Sequence, residues 1–70
     1  MRFTRHARSE MRLYGVSRAE ATRIAAEPTS EERDNKGNAR RAGLSDDGRE
    51  IVVVVARDDP ALVITLFERG

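Results

Sequence analysis

The chain has 70 residues, 36% of them charged and 39% hydrophobic, and no cysteine. These numbers describe one small domain and exclude both a disulfide framework and a cysteine-based zinc finger. The net charge of +1 is uneven: residues 1–27 hold six arginines against three glutamates, whereas residues 28–70 hold seven basic and nine acidic side chains.

Two helices come first, at about 4–14 and 17–27. Thr4 is suited to be an N-cap, and Phe3, Ala7, Met11 and Tyr14 follow the spacing of one buried stripe. Gly15 stands where a helix ends with positive φ, and Val16 is placed to fold back on Met11. Ser17-Arg18-Ala19-Glu20 reads as a capping box opening the second helix, which presents Ala21, Ile24 and Ala25 on one side. Pro28 disfavours helical geometry at Glu27 and ends it.

Beyond Pro28 the period changes to that of strands. Turn signals at Asn35-Lys36-Gly37, Asp46-Asp47-Gly48 and Asp58-Asp59-Pro60 divide the remainder into segments of about 29–34, 38–44, 49–57 and 61–68. Tight turns make successive strands antiparallel. The expectation is therefore an α+β domain, residues 1–70, with two helices on one face of a four-stranded antiparallel meander. The polar segment 29–34 reads as an edge strand or a loop. Segments 51–56 and 62–67 are apolar on both faces, so the face away from the helices needs cover: a twin chain, another protein or the curl of the sheet itself.

The longest apolar run, Ile51–Ala56, is far below the roughly 18 residues of a membrane-crossing helix. No apolar stretch follows Met1-Arg2-Phe3-Thr4-Arg5-His6, so nothing reads as a signal peptide, and a cytoplasmic location with no membrane partner is expected. His6, the single histidine, is the only side chain whose ordinary pKa lies near neutrality. One histidine without cysteine cannot supply the usual zinc ligands, and the aspartate pairs 46–47 and 58–59 read as turn residues, so no metal or other cofactor is expected. Arg40 and Arg41 are consecutive on a strand and point to opposite faces, one towards the Val-rich core and the other able to stand beside Thr65 or Arg57. The basic N-terminal segment, with Arg5, Arg8 and Arg12, is able to face the phosphates of RNA.

Thr4-Arg5-His6-Ala7, Met11-Arg12-Leu13-Tyr14-Gly15-Val16-Ser17, Pro28, Gly48-Arg49-Glu50-Ile51-Val52-Val53-Val54-Val55 and Val63-Ile64-Thr65 together resemble a family of small uncharacterised bacterial domains. That family is similar to the BrnT and RelE-like toxins and the colicin-type ribonucleases. The resemblance implies metal-independent RNA cleavage by attack of a 2′-hydroxyl on the adjacent phosphorus. In it His6 acts as general acid or base, Arg40 or Arg41 binds the phosphate, and Thr65 positions it. An antitoxin or a second copy would then cover the apolar sheet face. The chain departs from the family pattern at Glu10 and Tyr14, where arginine is frequent, and at Phe67, where a hydroxylated aromatic is frequent. A non-enzymatic domain that dimerises or binds a protein through the apolar face is the alternative.

Overall fold

In the computed structural model, which describes residues 1–70, Thr4 joins two layers. Its hydroxyl accepts a hydrogen bond from the Ala7 amide, capping α1 (Arg5–Tyr14), and donates one to the Ile64 carbonyl of the last strand at 2.6 Å. At the far end Gly15 takes φ 67°, and the Val16 amide reaches back to the Met11 carbonyl, closing α1 as its sequence requires. The capping box of Ser17 and Glu20 starts α2 (Arg18–Ala26). A buried Glu20 does more than cap: its second oxygen accepts the Asp46 amide at 2.7 Å, tying α2 to a strand turn.

The sheet has five strands in the order β1-β5-β4-β3-β2. They are β1 (Arg2–Phe3), β2 (Ser30–Arg33), β3 (Ala39–Leu44), β4 (Glu50–Ala56) and β5 (Asp59–Glu68). The antiparallel meander of the last four is as expected. The expected count of four and the wholly antiparallel pairing are corrected, because β1 lies parallel to β5, with Arg2 opposite Leu62 and Phe3 opposite Val63. Phe3 thus joins the buried stripe of α1 from a strand rather than from the helix. The third turn signal also shifts: Asp59 already pairs with Ala56, so Asp59 and Pro60 belong to β5. Near the start of a strand, proline's missing N–H removes little from the ladder. The polar segment is a strand at the sheet edge, with all four residues of β2 exposed.

Both helices cover one face. Phe3, Ala7, Met11, Val16, Ala21 and Ile24 pack there with Ile51, Val53, Val55, Val63 and Leu66. Gly43 lets α2 approach β3, since a Cβ at that position would stand 3.1 Å from two carbons of Ile24. On the open face Ala42, Val52 and Val54 form a second, smaller cluster with Phe67 against it.

The chain covers that second cluster itself. Val52 is 0% and Val54 6% exposed. Arg40 lies over the Phe67 ring, 5.3 Å from its centre. Arg69, just past β5, pairs with Glu50 of β4 and with Glu32 of β2, thereby bridging the face. Within the single chain, long side chains of β3 and of the segment after β5 thus lie over this cluster. No helix is long and apolar enough to cross a membrane.

Candidate functional site

The residues singled out from sequence fall into separate places. Arg40 and Thr65 line one concavity on the open face, with Phe67, Lys36 and Asn35. Arg41 does not join them. It points to the helix side, where it donates to the Ala25 carbonyl and pairs with Glu31 at 2.6 Å, so it fastens α2 and β2 to β3. His6 is exposed in the first turn of α1, lines no concavity and makes no side-chain hydrogen bond. The four residues assigned to cleavage therefore do not meet in one concavity.

Arg40 and Thr65 flank Val54 in one row across β3, β4 and β5, and a β-bulge adjoins that row in β5. Val54 pairs with Thr65 but Val55 with Val63, leaving Ile64 as the extra residue. Thr65 faces the open side with its partner Val54, and the extra residue returns Val63 to the core beneath the helices, where Leu66 also lies. Asp34 is the carboxylate of this concavity, and it belongs to the turn. Its oxygens accept the Lys36 and Asn38 amides and the Asn38 side chain. Desolvation pushes its pKa up, but these hydrogen bonds outweigh that and hold it below the usual value. It is thus a poor proton acceptor.

The arginines of α1 build a second site. At about 100° per residue, Arg5, Arg8 and Arg12 fall within an arc of about 60°, and His6 lies about 160° from Arg8. Arg8 and Arg12 line a shallow concavity with Met11, Gly15, Val16 and Arg18, the last held 4.8 Å over the Phe3 ring. Arg8 is steadied by donating from Nη1 to the Phe3 carbonyl at 2.8 Å, and its other guanidinium N–H groups have no partner in the chain. None of Arg5, Arg8, Arg12 and Arg18 forms an ion pair, whereas Arg2, Arg23, Arg41, Arg49, Arg57 and Arg69 all do. Uncompensated cations gathered at one concavity make a surface of positive potential.

Sequence reasoning found Arg5, Arg8 and Arg12 but not Arg18, Lys36 or Phe67 as site residues. Arg18 read only as part of a cap, Lys36 as turn and Phe67 as core. Only pairing across the sheet and between helices brings them to the two concavities. The model of a family described as Domain of unknown function (DUF4258) matches residues 3–68. No curated protein and no solved structure matches the chain.

Proposed function

The chain belongs to the DUF4258 family, and from that premise we propose that it binds single-stranded RNA by its phosphate backbone, through Arg8, Arg12 and Arg18 with Arg5 beside them. The observation that carries this reading is the concavity of three arginines without a carboxylate partner. An array of this kind exchanges condensed counterions for arginine side chains and is indifferent to base sequence. Resemblance to ribonuclease-like toxins supports RNA as the polyanion. The geometry favours binding over cleavage, because His6 stands on the other flank of α1 from Arg8 and apart from Arg40 and Thr65.

The test is fluorescence anisotropy with a labelled RNA 12-mer. Four arginines acting on a single strand give a slope of log affinity against log salt of about −3. Replacing Arg8, Arg12 and Arg18 together by alanine should weaken binding at least tenfold and flatten that slope, with the far-ultraviolet circular dichroism unchanged. Equal affinity of the triple variant would remove the site. A growth assay addresses cleavage: if induced wild type arrests cells and His6→Ala does not, the domain is a nuclease and His6 belongs to its machinery.

A further inference from the structure

The concavity of the open face offers donors that nothing in the chain uses. The Arg40 guanidinium makes no hydrogen bond and no ion pair and lies only against the Phe67 ring, and the Thr65 hydroxyl and the Lys36 ammonium are free of hydrogen-bond and ion-pair partners. Val54 and Ile64 supply an apolar floor between them. A guanidinium held over an aromatic ring is a flat, cationic platform, which takes a planar base on its face while its N–H edge takes phosphate oxygens.

We infer that this concavity is a binding site for one nucleoside 5′-monophosphate unit, its base stacked on the Arg40–Phe67 platform and its phosphate between Lys36 and the Arg40 edge. Thr65 is placed to meet a ribose hydroxyl. Asp34 is the one negative group in the lining, and its oxygens are taken up by the turn amides and Asn38, so Lys36 and Arg40 leave the pocket net positive. In the proposed site the Arg40–Phe67 stack is the feature that selects a nucleotide over a bare anion, since phosphate alone has no use for a planar platform. The site lies on the sheet face opposite the helices, and it goes beyond the backbone reading and does not depend on it.

The experiment follows amide shifts of the labelled protein during titration with adenosine 5′-monophosphate, adenosine or inorganic phosphate. Saturable shifts of Lys36, Arg40, Thr65 and Phe67 are expected with the nucleotide, and at least tenfold weaker binding with either fragment. Arg40→Lys keeps the charge and loses the plane, and Phe67→Leu keeps the apolar cover and loses the ring; each should weaken the nucleotide at least tenfold. Arg8→Ala should leave it unchanged, which separates this site from the arginines of α1. No shift at these residues, or phosphate binding as well as the nucleotide with Phe67→Leu unaffected, overturns the site. An unphosphorylated RNA decamer that competes at the same amides identifies the occupant as a unit of a strand. Lack of competition identifies a free mononucleotide, and either result supports the site.

Discussion

Glu20 serves three masters at once: it closes the capping box of α2, sits buried at the helix–sheet boundary and holds the Asp46 amide. The Ser17 backbone hydrogen bond, then that from Asp46, lowers its pKa from the ordinary 4.5 against an opposing push from burial. A depressed carboxyl stabilises the fold above its unfolded pKa and loses that contribution as pH falls through the folded value. Stability should therefore be level above about pH 5 and decline below 4.5, with Asp47, held down by Ser45 and Arg49, adding to the loss. Thermal melts from pH 7 to 3 check this, and Glu20→Gln should flatten the upper part of the decline. Gly43 makes a different kind of demand. Its backbone is ordinary, but the space beside it is taken by Ile24, so Gly43→Ala should overpack the α2–β3 contact and cost about 1–3 kcal/mol. The caps around Glu20 were legible in the sequence because a capping box is written in four consecutive residues. The tight approach at Gly43 was not, because it depends on a residue 19 positions away.

Among elements, α1 and α2 were read to within a residue at each end, since caps and proline mark their boundaries locally. Strand β1 was missed for an equally physical reason. Two residues carry no alternation, and Phe3 fits a helical stripe as well as a strand. What makes β1 a strand is its partner 60 residues along the chain, Val63, with Thr4 fastened beside it to the carbonyls of Val63 and Ile64. Thr4→Val removes both the cap and the bond to Ile64. It should cost about 1–2 kcal/mol and speed amide exchange in the first turn of α1, while Thr4→Ser should keep most of the stability. The same contact holds the carbonyl of the bulged residue Ile64, next to Thr65, so amide shifts at Thr65 should move in Thr4→Val as well. Of the candidate site, the arginine stripe of α1 was legible because a helix repeats locally. The company of Arg40, Phe67 and Lys36 was not, since it needs the register of three strands.

At the scale of the whole molecule, the apolar open face suggested a missing partner, and the structure supplies cover from within. Val52 and Val54 are buried, and Leu44 at 55% is the exposed large apolar side chain of β3. A face closed in this way has little apolar area left to drive self-association. The protein should remain monomeric at millimolar concentration by sedimentation, and Arg69→Ala, which opens the bridge over Val52, should increase self-association without unfolding the core beneath the helices.

Strand β2 has no buried residue, and its two glutamates are held by arginines from opposite sides of the sheet: Glu31 by Arg41 on the helix side, Glu32 by Arg69 on the open side. Apart from its backbone ladder and the Arg33 hydrogen bond to the Gly37 carbonyl, it is clamped by charge, and exposed charge pairs weaken as ions accumulate between them. Added salt thus works as a selective solvent for one strand, loosening β2 while the hydrocarbon interior tightens. A cell's ionic state would be written into this domain twice, once at the arginines of α1 and once at the far border of the sheet, and amide exchange of residues 30–33 would read the second without any ligand present.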